Sequence, residues 1–218
     1  MGVYMPRMPV TRLFAAAICL ALSSCAGYRG GWESLPYIGP RPPTPSVSRT
    51  NYEAGKRREL ALPGLTLSVR LLNQSLDSDT QVYAYVIPVP GYSVDTPSGV
   101  PKKASVSLYI KPHAEGFVLR PLLTMLSVKG QSASGLMEYK LSYFDGAKKE
   151  EIEPARIADE LLLSSGKSYN LVVEFPLTAP SPDAPDVTLD LSKALQAPGQ
   201  PPIPLIRFLP VRWGNWYG

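Results

Sequence analysis

The chain has 218 residues, 22 Lys plus Arg against 18 Asp plus Glu, and an ordinary apolar content of 44%. A net charge of +4 gives no electrostatic footprint for nucleic acid, whose binding rests on many clustered cations that neutralise phosphates. Both cysteines, Cys19 and Cys25, stand near the amino terminus, so disulfides and cysteine-metal sites are excluded from the rest of the chain.

The first 24 residues have the three parts of a secretory signal: basic Arg7 and Arg12, the apolar run Leu13 to Leu22, and small Ser23-Ser24 before a cut. Starts at Met5 or Met8 would keep the basic flank. The apolar run is too short to span a bilayer, which argues against a permanent transmembrane helix. Removing Arg7 and Arg12 with the signal leaves 20 Lys plus Arg against 18 Asp plus Glu, a net +2. A mature part with no cysteine beyond Cys25 suits an oxidising compartment.

Leu22-Ser23-Ser24-Cys25 resembles the lipobox of bacterial lipoproteins, with Ser23 where Ala is commonest. The resemblance covers only these first 25 residues. It implies cleavage before Cys25, diacylglycerol on the Cys25 thiol and often acylation of the new amine. Each buried CH₂ contributes about 0.8 kcal/mol, and stable anchoring takes at least two chains, so two or three hold firmly. Ala26 after the cysteine implies the outer membrane, with the domain facing the periplasm. A chance cysteine in an ordinary cleaved signal is the competing account.

Residues 25–59 carry Gly, Pro, Ser and Arg with little periodicity, including Gly-Pro-Arg-Pro-Pro-Thr-Pro at 39–45. Such a composition predicts a semi-rigid tether of polyproline II character. At about 3.1 Å per residue it would lift the domain several nanometres from the lipid. The alternative is that Trp32 to Ile38 lies down on the domain as an ordered arm.

From Leu60 onward the period is two. Leu65, Leu67, Val69 and Leu71 alternate with Thr66, Ser68 and Arg70, the mark of a half-buried strand. Further strands are expected at 81–89, 104–110, 117–128, 137–144, 169–175, 187–191 and 203–213. Between them, Pro154 can open one helix with Ile157, Leu161 and Leu162 on its apolar side, and Ser164-Ser165-Gly166 can end it. Prolines at 88, 90, 121 and 176 would have to sit at edges, strand ends or bulges. Residues 60–218 thus read as one all-β domain, an antiparallel β-sandwich of about eight strands with one short helix, preceded by the Pro-rich tether. The pattern resembles the immunoglobulin-like sandwiches of bacterial envelope proteins, although the Cys-Trp-Cys spacing of a true immunoglobulin domain is missing.

His113 is the only histidine, and Lys111-Pro112-His113-Ala114-Glu115-Gly116 reads as a hairpin turn rather than part of a catalytic triad. No Gly-x-Ser-x-Gly is present. Ser165-Gly166-Lys167-Ser168 ends like a phosphate-binding loop, but Leu161 stands where that loop needs Gly, so a turn is the reading. Asp77, Asp79, Glu150, Glu151, Glu153, Asp183 and Asp186 read as solvated turns rather than glycosidase or calcium carboxylates. The carboxyl terminus brings Trp213, Trp216 and Tyr217 together beside Arg212, and Tyr83, Tyr85, Tyr92 and Tyr109 lie in or near early strands. Exposed Trp and Tyr beside Arg often anchor protein partners.

The expectation is a non-enzymatic, lipid-anchored envelope module that binds a protein or helps assemble a complex, without metal, nucleotide or other cofactor. Trp213, Trp216 and Tyr217 are its candidate contact residues and Cys25 its lipidation site. Two alternatives remain: a binder of cell-wall polysaccharide, and a hydrolase whose site forms around His113 or a carboxylate pair.

Overall fold

The computed structural model describes residues 25–44, 58–83, 92–93, 102–145, 148–152, 160–183 and 185–217. The first four strands are β1 (Cys25–Tyr37), β2 (Glu59–Leu62), β3 (Leu65–Leu71) and β4 (Ser75–Tyr83). Next come β5 (Tyr92–Ser93), β6 (Lys103–Pro112), β7 (Phe117–Leu119) and β8 (Met125–Val128). They are followed by β9 (Gln131–Ser134), β10 (Leu136–Asp145), β11 (Lys148–Ile152) and β12 (Leu161–Leu163). The last four are β13 (Ser168–Thr178), β14 (Val187–Asp190), β15 (Leu195–Gln196) and β16 (Ile206–Tyr217).

The strands form an antiparallel β-sandwich. One sheet runs β5-β4-β1-β16-β14-β8-β9, the other β11-β10-β13-β6-β3-β2, and a small sheet β12-β7-β15 stands beside them. Alternation builds the core. Leu65, Leu67, Val69 and Leu71 of β3 point inward, as do Ala104, Val106, Leu108 and Ile110 of β6 and Tyr169, Leu171, Val173 and Phe175 of β13. Register lines them up in rows, with Val69 opposite Leu108 and Leu108 opposite Leu171. The other sheet contributes Leu126, Leu189, Ile206 and Phe208 to the same cluster. Fully burying one such side chain contributes roughly 1.5–3 kcal/mol.

Prolines fall where a ladder can spare a donor. Pro176 lies inside the register shift between Glu174 and Thr178, and Pro121 opens a short 3-10 turn over Pro121–Leu123. Residues 88 and 90 lie outside the described residues.

The single strand expected over 117–128 is broken by the 3-10 turn at Pro121–Leu123 into β7 and β8, because proline has no N–H for a ladder, and two further expectations are corrected. Leu161–Leu163, assigned to a helix, is strand β12, with Leu161 opposite Leu119 and Leu163 opposite Phe117. Three consecutive leucines fit either state, and the free edge of β7 supplies a ladder partner that a single helical turn would lack. Residues 153–159 of that expected helix lie outside the described residues. The second correction concerns the tether: Cys25–Tyr37 is a 13-residue strand paired on both sides, so the alternative of an ordered arm holds and extends back to the cysteine. Beyond it, residues 39–44 are exposed and without regular structure, while 45–57 lie outside the described residues.

Candidate functional site

Cys25 is the first residue of β1 and stands opposite Tyr83 of β4. Strand β1 is long because it has partners on both edges. It pairs with β16 from Gly27 opposite Tyr217 to Tyr37 opposite Arg207, and with β4 from Cys25 to Trp32. A register shift between Gly30 and Gly31 marks a bulge against β4, the kind of position at which strand glycines are used. Among the described residues, β14 pairs with β16 only at Arg207 and Ile206, and β5 pairs with β4 only at Thr80 and Gln81. Toward Cys25 the described sheet therefore narrows to the ribbon β5-β4-β1-β16, in which β5 reaches only Thr80 and Gln81, the residues opposite Tyr28 and Gly27. Trp216 stands opposite Tyr28 in this ribbon.

Further along, β1 is buried on both faces. Ser34 accepts a hydrogen bond from Asn73 Nδ2 at 3.0 Å, and the same nitrogen reaches the Pro180 carbonyl at 3.1 Å. Leu35, Leu209 and Val211 make a second small cluster with Tyr37 against it. Glu33, with its side chain 3% exposed, forms an ion pair with Arg58, which is 12% exposed. Its second oxygen, Oε1, and the Arg58 Nε have no partner among the described residues. Burial and the neighbouring Arg58 charge push the Arg70 guanidinium below its ordinary value, while Glu33 opposes that shift. Trp213, opposite Gly31, is half-buried, and its buried indole N–H is likewise unpartnered. Sequence reasoning missed the Glu33–Arg58 pair because 25 positions separate the two residues and only the pairing of β1 brings them together.

The sequence-predicted chemistry is dispersed. His113 is exposed at the bend after β6; its Nε2 lies 2.8 Å from Thr66 Oγ1, and its backbone N–H donates to the Gly64 carbonyl at 2.8 Å. Glu115 accepts instead from Ser165, through both its hydroxyl and its backbone N–H. Ser165-Gly166-Lys167-Ser168 is a turn leading into β13, with Gly166 at φ 78. Asp183 accepts from Ser181. Asp77 and Asp79 lie in β4, Glu150 and Glu151 in β11, and residue 153 outside the described residues. Among the described residues, no three His, Cys, Asp or Glu groups gather where they could hold a metal ion. No helix among them is long and apolar enough to cross a membrane.

The described residues form at least two clefts. One of about 400 Å³ lies between Val118, Arg120, Gln196 and the Pro198–Pro202 loop, with Arg120 bonded to Glu160 and Gln196 on its rim. The other, of about 550 Å³, collects Leu122, Leu123, Met125 and Leu205 beside β8 and β9. These four side chains are 37–44% exposed, an unusual concentration of solvent-facing apolar groups. The patch abuts β9, the end strand of its sheet. Among the described residues, no aromatic side chain lines either cleft.

Comparison with protein-family models, with curated proteins and with solved structures finds no match for this chain.

Proposed function

We propose that the chain is exported, cut before Cys25 and held by lipid on that cysteine at the outer membrane, with the sandwich facing the periplasm as a non-enzymatic module that binds an envelope protein. The observation that carries the anchor is Leu22-Ser23-Ser24-Cys25 behind a basic flank and a short apolar run.

The binding half rests on the patch of Leu122, Leu123, Met125 and Leu205 beside an end strand. A polypeptide is the occupant whose chemistry fits both parts: its backbone adds to a sheet edge and its apolar side chains enter the cleft. What favours binding over hydrolysis is the placement of His113, which meets Thr66 on the exposed surface rather than a serine or carboxylate in a cleft.

The anchor is tested by intact mass and membrane fractionation of wild type and Cys25→Ala. A mature mass beginning at Cys25 with added lipid, lost in the variant, is expected; a soluble, unmodified wild type would overturn it. Crosslinking then tests the patch. Leu122→Ser with Leu123→Ser is expected to lose the crosslinked neighbours of the membrane-bound protein, and full retention of them would sink the assignment.

A further inference from the structure

The position of Cys25 inside a sheet changes what a lipid on it would do. On a flexible tether, the lipid would hold the domain loosely and at a distance. Here Cys25 is itself a paired residue of β1, so no free spacer lies between the modified sulfur and the folded sheet.

The ladders also fix which residues share that end. Tyr83 stands opposite Cys25, Tyr217 opposite Gly27, Trp216 opposite Tyr28, and Tyr92 opposite Gln81, which is itself opposite Gly27. Strands rise about 3.3 Å per residue and lie about 4.8 Å apart. The levels of Tyr83, Tyr92, Tyr217, Tyr28 and Trp216 therefore fall within about 10 Å of Cys25 measured along the strands. The headgroup zone of one leaflet is about 5–8 Å deep, the difference between total and hydrocarbon thickness shared between two sides. Five aromatic positions thus occupy a band of about 10 Å, of the same order as that zone. Tyr and Trp concentrate there in membrane proteins because one part of the ring system is apolar and the other takes a hydrogen bond from water or headgroups.

We propose that the Cys25 end of the β5-β4-β1-β16 ribbon sits in the lipid–water interface, with the positions of Tyr28, Tyr83, Tyr92, Trp216 and Tyr217 forming an aromatic band, a collar, near the level of the lipid-bearing residue. The collar holds the sandwich at a set angle to the bilayer, so that the apolar patch beside β9 is presented in one orientation. This inference rests on the lipid anchor and goes beyond it: an anchor alone requires no protein surface to touch the membrane. It also separates the carboxyl-terminal aromatics, Trp213 being set apart from Trp216 and Tyr217. Trp213, opposite Gly31, lies about 20 Å from the Cys25 level and outside the band.

The test uses the full processed protein in phosphatidylcholine vesicles whose acyl chains carry bromine near the headgroup, with unbrominated vesicles as reference. Three indoles emit, at Trp32, Trp213 and Trp216. Bromine is expected to quench about one third of the emission, the share of one indole in three, and Trp216→Phe to abolish that quenching while Trp213→Phe leaves it intact. Flotation with the vesicles and the intact mass report the anchor separately. A lipidated protein that floats with the vesicles but is unquenched leaves the anchor standing and overturns the collar, as when a protein or a second copy covers these residues. A protein that carries no lipid overturns both. The wild-type reading needs no variant to fold.

Discussion

The body of the sandwich and the ribbon at its Cys25 end are built from the same kind of strand but held by different means. In the body, β3, β6 and β13 carry alternating inward-facing residues, and Val69, Leu108 and Leu171 lie fully buried in one row. In the ribbon, β1 carries Cys-Ala-Gly-Tyr-Arg-Gly-Gly with no such alternation and owes its length to partners along both edges. Burial of apolar area stabilises the first; backbone pairing with β16 and β4 organises the second. The difference is between a region whose side chains pack into a core and one defined by its ladders.

Substitutions in the body should therefore be costly while those toward the ribbon end should change attachment instead. The largest effect is expected for Phe175→Ala, which empties a site that is 1% exposed and should destabilise by about 3–5 kcal/mol in urea unfolding. A loss below about 1 kcal/mol would mean the two sheets do not pack as described. Where β1 crosses into the body, Arg58→Met strands the Glu33 carboxylate without its partner. Removing one member of a buried pair costs about 3–5 kcal/mol, whereas Arg58→Met with Glu33→Gln should recover much of that loss. Equal instability of the single and double variants would remove the pair from the account.

Gly135→Ala tests the seam between the sheets. A Cβ there would meet Val173 Cγ1 at 2.8 Å and the Pro121 carbonyl at 3.0 Å, and overpacking of this kind costs about 1–3 kcal/mol. A neutral outcome in thermal unfolding would show that the seam yields. The smallest effect belongs to His113→Ala, which removes one exposed contact with Thr66 and should shift stability by about 0.5 kcal/mol or less. It should also leave partner crosslinking and membrane attachment unchanged; loss of either would give His113 a role that its position does not suggest.

The same contrast decides how much the sequence could reveal. Strands buried on one face announce themselves through period two, and β3, β6, β13 and β14 fall close to where alternation puts them. Strand β1 is covered on both faces between Gly30 and Pro36, so its residues have no solvent side to be polar on. Its glycines and prolines then read as tether. Gly30 and Gly31 in fact flank a bulge, and Pro36 is buried opposite Phe208. Short strands were hidden for another reason: β9, with Gln131, Ser132 and Ser134 exposed, has too little apolar content to register. The apolar patch was equally illegible, because Leu122 and Leu123 looked like the middle of one long strand over 117–128 until the 3-10 turn at Pro121 turned them outward.

Amide hydrogen exchange across residues 26–37 of the mature protein tests the central claim most directly, that a lipid on Cys25 would join the sheet without a spacer. Strong protection of the β1 amides that face β16 and β4, approaching that of β6 and β13, is the predicted result. Exchange of that whole segment at the rate of an unstructured chain would restore the tether and remove the basis for an aromatic collar at the membrane.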